Sequence, residues 1–368
     1  MRRPIIGVFI NNGVIRKLNN QNHNLKSYSR IEMLANESIK AGTTLYFFSA
    51  LDVNLKNSTI RGTYFNQQDG QWRKKRFPLP DVLYDRSGGS LKSQRPKVRS
   101  IRKTFTQLGI RKLNPKGHFN KWKTYEVLSK VPEIQPHLPQ TKQCNDLSDL
   151  KSFLKNHNNI YIKGTNGSRG KKVIRLQKNK DGSYYIKYFV NKLVIKNFKT
   201  IDEVYHFLKS FFKSKQFIIQ QAISLMSIKD RLVDFRAEVQ RNKSGDLVVV
   251  GVSVRFGMKN SPITIHSEAY SFEDFFSKFS NLNISEITEK RNQVDDFLKK
   301  VYQSIELHYG SFGEIGIDFG MDENGDLWFI ECNAKSAKVS LCKAYDRKTV
   351  QRAFLNPLEY GKFIYLNN

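Results

Sequence analysis

The 368-residue chain is short of cysteine, of long apolar runs and of acid, and each shortage narrows what it can be. Its three cysteines, Cys144, Cys332 and Cys342, stand far apart. They have neither zinc-site spacing nor the density of a disulfide framework, and read as free thiols. The longest apolar runs, such as Phe217-Ile218-Ile219 and Leu247-Val248-Val249-Val250, are strand-sized, so no membrane partner or spanning helix is expected. Arg2 and Arg3 precede an apolar stretch at 5–10, but it ends at Asn11-Asn12-Gly13 without a small-residue cleavage site. A secretory leader is therefore not expected, and the reading is cytoplasmic. Acidic residues number 33 against 62 lysines and arginines, a net charge of +29. Such a field draws nucleic acid, anionic polymers, acidic proteins or ATP. The basic run 95–103 holds no aromatic residue to stack on a base, which argues against nucleic acid.

What is present is an α/β pattern long enough for two or three units. Strand-like stretches at 4–10 and 43–48 flank a helical spacing at 29–40, and strand-rich stretches follow at 59–65 and 71–77. A first boundary is placed near residue 112. Helices are expected at 121–130 and at 146–156, the second capped by Asn145 or Asp146. A strand at 160–163 runs into Gly164-Thr165-Asn166-Gly167-Ser168-Arg169-Gly170-Lys171-Lys172, and a second strand follows at 173–176. Glycines let backbone N–H groups approach a phosphate, and Lys163, Arg169, Lys171 and Lys172 neutralise it. It is not a P-loop, because no lysine-Ser/Thr ending is present and a strand follows.

The densest local pattern is residues 314–333. Asn324-Gly325 reads as a two-residue hairpin turn, which sets Asp318 opposite Glu331. Gly316, Gly320 and Asn333 then share their face, while Ile315, Ile317, Phe319, Trp328, Ile330 and Cys332 take the other. Two carboxylates directly opposite repel unless a cation lies between them, and hard oxygen ligands suit magnesium carrying a nucleotide. The same residues also fit the solvent side of an ordinary amphipathic hairpin, and by themselves leave both readings open.

Along the chain come Lys121, Lys163 with its glycine loop, the strand 217–223, Asp234-Phe235-Arg236, Arg255, and Asp318 with Glu331-Cys332-Asn333. That order resembles the ATP-grasp superfamily over 113–345. Within it the chain resembles the YheC/YheD family of Bacillus endospore coat-associated proteins, a likeness that extends to Pro78-Leu79-Pro80-Asp81-Val82-Leu83-Tyr84-Asp85-Arg86 and Pro136-His137-Leu138-Pro139-Gln140-Thr141. The resemblance implies an ATP-grasp fold over 113–368 behind an N-terminal α/β pre-ATP-grasp domain over 1–112. A glycine-loop lid subdomain would span 141–219 and a metal-binding subdomain 220–345.

It also implies ATP and Mg²⁺ as cofactors. Lys121 and Lys163 would meet the phosphates, with Gly164, Gly167, Ser168, Arg169 and Gly170 folded over them. Backbone around Gln220, Gln221, Ala222 and Ile223 would hold adenine, and Asp234 the ribose. Arg236 and Arg255 would act at the γ-phosphate or acyl-phosphate, and Asp318, Glu331 and Asn333 would bind magnesium. The implied activity is a carboxylate–amine ligase, using amine or another nucleophile and releasing ADP and phosphate. Its acceptor would be an acidic peptide, protein or polymer, with spore coat proteins as partners and a location at the coat. The alternative is a nucleotide-binding coat component without turnover. Two departures stand out: Gln220 replaces a common hinge glutamate, and Met258-Lys259-Asn260-Ser261-Pro262-Ile263-Thr264-Ile265-His266-Ser267 replaces a glycine-rich segment after Arg255.

Overall fold

A parallel core begins the chain because its first apolar strands are joined by amphipathic helix. The computed structural model describes residues 2–88, 92–167, 172–213, 215–257 and 268–367. The first sheet holds β1 (Ile5–Phe9), β2 (Thr44–Phe48), β3 (Val53–Asn54), β4 (Thr59–Asn66), β5 (Gln71–Pro78), β6 (Val82–Asp85) and β7 (Arg111–Lys112). Its order is β3-β4-β2-β1-β6-β7 with β5 on β4, and β1 runs parallel to β2 and β6. Helices α1 (Asn12–Asn19) and α2 (Tyr28–Lys40) cover one face, and α3 (Arg95–Gln107) covers the other through Val98, Ile101 and Phe105. The C-terminal helix of the chain, Arg347–Leu366, returns to this unit and packs Val350, Ala353 and Leu358 into the same cluster as Ile6, Val8 and Val82.

The second sheet is antiparallel: β8 (Thr141–Cys144), β9 (Asn159–Gly164), β10 (Val173–Lys178), β11 (Tyr184–Val190), β12 (Lys192–Phe198) and β13 (Phe217–Gln221), in the order β12-β11-β10-β9-β13-β8. In chain order α4 (Lys121–Leu128) comes between the first two sheets, though its Leu128 packs into the core of the third; α5 (Leu147–Asn156) and α6 (Ile201–Phe212) bury Leu150, Leu154, Val204 and Leu208 against the second. Asp146 caps α5 by accepting from Asp149 N at 3.0 Å. In the third sheet are β14 (Ser227–Ile228), β15 (Arg231–Arg241), β16 (Leu247–Phe256), β17 (Ala269–Ser271), β18 (Glu314–Met321) and β19 (Leu327–Asn333), ordered β17-β16-β15-β18-β19 with β14 beside β15. Under it lie α7 (Phe272–Phe279) and α8 (Ile284–Tyr309), whose apolar stripe Val294, Leu298, Val301 and Ile305 has helical spacing. The short α9 (Leu341–Ala344) precedes the terminal helix, α10.

The β18–β19 hairpin corrects the expected turn. Met321 pairs with Leu327, so the connection is residues 322–326, with Gly325 at φ +89°, rather than Asn324-Gly325 alone. A bulge then sets Phe319 opposite Phe329 and Asp318 opposite Glu331, inserting Ile330. The longer loop moves the register by one residue and the bulge moves it back. Asp318 and Glu331 therefore face each other as expected, but Leu327 and Phe329 enter the core in place of Trp328 and Ile330, which are only half-buried.

The first and third sheets are joined through a buried carboxylate. Glu314 accepts from Tyr84 Oη at 2.7 Å and is paired with Arg86 and Lys338. Asn114 donates to the carbonyls of Glu314 (3.0 Å) and Ala334 (2.8 Å) and accepts from Gly313 N (2.9 Å). Burial alone would raise the Glu314 pKa, yet Lys338 and Arg86 outweigh it and hold the carboxyl below its usual range. Because the folded pKa is depressed, this stabilisation is present above the unfolded value of about 4.3 and is lost as pH falls through the folded one. Glu314→Gln is expected to cost about 3–5 kcal/mol by denaturant unfolding and to flatten the acid limb below about pH 4.3. A variant with wild-type stability and acid limb would remove Glu314 from this role.

Candidate active site

Side chains alternate along β15, so Val233, Phe235, Ala237 and Val239 enter the core while Asp234, Arg236, Glu238 and Gln240 line the opposite face. Neighbouring strands add to that face in register. Ser253 and Arg255 of β16 stand opposite Arg236 and Asp234, and Asp318 and Gly316 of β18 opposite Arg236 and Glu238. Beyond β18, β19 brings Glu331 opposite Asp318 and Asn333 opposite Gly316.

The result is one connected chain of charge. Arg236 grips Asp318 through Nε and Nη2, the latter at 2.6 Å. Arg255 bridges two carboxylates, donating to Asp234 Oδ1 at 2.6 Å and to Asp318 Oδ1 at 2.8 Å. Asn333 Nδ2 reaches Asp318 Oδ2 at 3.2 Å and Glu331 Oε1 at 3.4 Å, and Lys121, at the start of α4, pairs with Glu331. Burial disfavours charge on both arginines, but their aspartate partners more than restore it. A side chain at Gly316 would come within 2.9 Å of Ser336 Cβ and 3.1 Å of Arg236 Nη1, so glycine there leaves room for the guanidinium.

Repulsion between Asp318 and Glu331 is thus relieved by guanidinium and ammonium groups, the cations that their pairing calls for. The donor set still fits a hard cation in kind: two carboxylates and an amide whose oxygen would face them after a flip. Such a cation has to share Asp318 with Arg236 or displace it.

A second cluster joins the first. Lys163, opposite Ile218 of β13, donates to Gln220 Oε1 at 2.6 Å, and Gln220 Nε2 donates to Thr141 Oγ1 at 2.8 Å. Burial and the neighbouring Lys121 push the Lys163 amine down to about 8 against the upward pull of Glu331. Lys121 N bonds to Thr165 O at 2.9 Å, which ties the stem of the glycine loop to α4. Gly164 N donates to Lys172 O at 3.1 Å and Ala222 N to Asn159 O at 3.2 Å. Gln221 Oε1 accepts from Gln140 N at 3.2 Å, while Ile223 O takes Leu225 N at 2.9 Å. Ser168, Arg169, Gly170 and Lys171 lie outside the described residues, as does the whole 258–267 segment.

Several polar residues of this face were not singled out from sequence: Glu238, which accepts from Ser336 Oγ, and Ser336, Lys338 and Ser253. Burial raises the Glu238 pKa over the pull of Lys338 and Arg236. The alternation of charged and apolar residues from Asp234 to Gln240 was the available signal. Cys332 sits on the core side, where burial pushes its thiol well up.

Comparison with known proteins identifies the family and the fold. The YheC/D like ATP-grasp family model matches residues 109–364. The chain is 29% identical over 317 residues to the endospore coat-associated protein YheD of Bacillus subtilis (strain 168), covering 81% of this chain and only 66% of YheD. Among solved structures, D-alanyl-alanine synthetase A of Vibrio cholerae O1 biovar eltor str. N16961 superposes with a TM-score of 0.53 at 12% identity, over 97% of this chain and 99% of that one. The ATP-grasp ligase PsnB, complexed with a phosphomimetic variant of its minimal precursor, Mg and ADP, gives 0.52 at 12% identity, over 99% of each chain. At these identities the structural likeness establishes the ATP-grasp fold. No helix among the described residues is long and apolar enough to cross a membrane.

The lowered Lys163 pKa is directly measurable. Acylation of Lys163, followed by mass spectrometry across pH, is expected to reach half its limiting rate near pH 8, whereas ordinary lysines need about pH 10.4. Unfolded chain binds the extra proton between those values, so this group makes stability rise with pH across that window. Glu331→Gln lowers the midpoint further. A Lys163 profile that tracks exposed lysines would refute the assignment.

Proposed function

The chain belongs to the YheC/D-like ATP-grasp family, and we propose that it is an ATP- and magnesium-dependent ligase joining a carboxylate to an amine or other nucleophile. The observation that carries this reading is the connected network on one sheet face, from α4 and four strands, in which Lys121 meets Glu331, Asn333 joins Glu331 to Asp318, and Asp318 holds both Arg236 and Arg255, the latter reaching on to Asp234.

In the proposed reaction the γ-phosphoryl group passes from ATP to the substrate carboxylate, breaking the β–γ phosphoanhydride and releasing ADP. The nucleophile then attacks the acyl carbon and phosphate leaves. Magnesium, when bound, neutralises phosphate oxygens; Asp318, Glu331 and Asn333 would hold it, with the Asn333 amide turned to present its oxygen. Lys121 and Lys163 take the nucleotide phosphates, assisted by Gly164, Gly167, Ser168, Arg169 and Gly170. Gln220, Gln221, Ala222 and Ile223 border adenine. Arg236 and Arg255 fix positive charge where charge develops on the transferring group and the acyl-phosphate, with Asp234 aiming Arg255 and meeting the ribose. No protein nucleophile is needed, and Cys332 faces away. The name of YheD supports a setting at the spore coat, and the +29 charge favours an acidic acceptor.

One observation favours a second reading, a nucleotide-binding coat component without turnover: the Arg236 guanidinium is seated on Asp318. ADP release with panels of amines and acids separates the two. Acceptor-dependent release is expected, falling about 10²–10³-fold in Asp318→Asn and Glu331→Gln. Nucleotide binding with no release under any acceptor decides for the second reading, and release that survives both substitutions sinks the metal assignment.

A further inference from the structure

A cavity of about 320 Å³ lies at the seam between the two ends of the chain, where α2 meets α9 and the start of α10. Its walls are Arg30 and Met33 on one side and Cys342, Tyr345, Arg347 and Val350 on the other. It contains none of the proposed magnesium ligands or phosphate-facing lysines.

Arg30 sets it apart, with Arg347 exposed on the other wall. Elsewhere Arg86, Arg102, Arg236, Arg241, Arg255 and Arg291 each meet a carboxylate. Among the described residues neither Arg30 nor Arg347 pairs with an aspartate or glutamate. Arg30 is half-buried, and among the described residues its side chain bonds only to Lys26 O, at 3.4 Å. Burial, with the like charge of Arg86, lowers its pKa over the upward pull of Cys342, so a cation has lost water without gaining a carboxylate. Two guanidinium forks over a cavity with apolar walls match a carboxylate carried on an aliphatic stem.

We propose that this cavity is a docking pocket for an acidic peptide segment, whose carboxylate is gripped by Arg30 and Arg347 while its stem rests on Met33 and Val350. Tyr345 connects the pocket to the candidate active site. Its ring lines the cavity, and its hydroxyl donates to Val252 O and accepts from Val252 N, each at 2.9 Å. Val252 precedes Ser253, which stands opposite Arg236. A segment held here therefore lies beside the strand that carries Arg255. Docking requires neither nucleotide nor turnover, and so stands or falls apart from the ligase reading.

The test uses the full chain without nucleotide at physiological ionic strength, with a fluorescent oligoglutamate peptide as probe. Anisotropy reads binding, and maleimide alkylation of Cys342 reads occupancy of this cavity. The peptide is expected to slow alkylation about tenfold, and the Arg30→Ala, Arg347→Ala double variant to weaken binding about tenfold or more. Lys243→Ala with Lys300→Ala, removing the same charge elsewhere, is expected to change neither. Equal loss in both double variants makes the binding a general charge effect and overturns the pocket. Unprotected Cys342 also overturns it, as does inorganic phosphate displacing the peptide and protecting Cys342 equally well at equal concentration. An unchanged denaturant midpoint of the free arginine variant verifies that the chain still folds.

Discussion

Glu314 is the constraint from which the rest of the arrangement follows. A carboxylate with no exposure at the start of β18 is tolerable only if cations reach it, and they come from opposite ends of the chain: Arg86 from the end of β6, Lys338 from the loop after β19. Lys338 adopts a left-handed backbone, φ +54°, to deliver its ammonium. The same loop lays Ser336 over Gly316, where Arg86 donates to the Ser336 carbonyl, and ties Lys335 to Asp85 at 3.0 Å. Because that loop continues directly from Asn333, the geometry of the carboxylate cluster depends on an ion network half of which belongs to the first sheet.

The cluster itself is close to charge balance. Among the described residues Asp234, Asp318 and Glu331 face Arg255, Arg236 and Lys121. A balanced, buried network adds little attraction for an incoming anion; it offers geometry that exchanges partners when phosphate and a metal arrive. Attraction at the site therefore falls to Lys163, whose amine meets a neutral amide oxygen rather than a carboxylate. Its burial makes it responsive to a second negative charge, since an arriving phosphate restores the protonation that desolvation opposes.

The legibility of this site in sequence was uneven for physical reasons. Alternation along a strand is a local property, so the placing of Asp318 with Glu331 and Asn333 was readable from β18 and β19. The five-residue turn and the bulge at Ile330 were not: the longer turn brings Phe329 rather than Trp328 into the core, and the bulge returns Asp318 to Glu331. Asp234 and Arg236 were visible through resemblance; their bonds to Arg255 and Asp318 appear only when three strands lie side by side. The Tyr84, Arg86 and Glu314 contact spans some two hundred residues, and no periodicity carries information over that distance. The strand stretches at 4–10 and 43–48 were legible, but nothing in them announced that α10 would complete their core.

These two facts, balanced charge inside and a large excess overall, bear on how a partner is chosen. If the interior groups cancel, the +29 resides mainly on solvent-facing lysines and arginines, whose field decays within about 8 Å at physiological salt. That field gathers acidic chains quickly without distinguishing among them. Discrimination needs cations that have surrendered water and whose forks are fixed by packing, because only there does a misplaced carboxylate leave a charge unmatched. Arg30, half-buried near the like charge of Arg86 and without an acid of its own among the described residues, has surrendered that water on the seam where α10 closes over the first sheet. The helix that completes the N-terminal core thus also forms one wall of the cavity, so selectivity for a partner and closure of the fold rest on the same element.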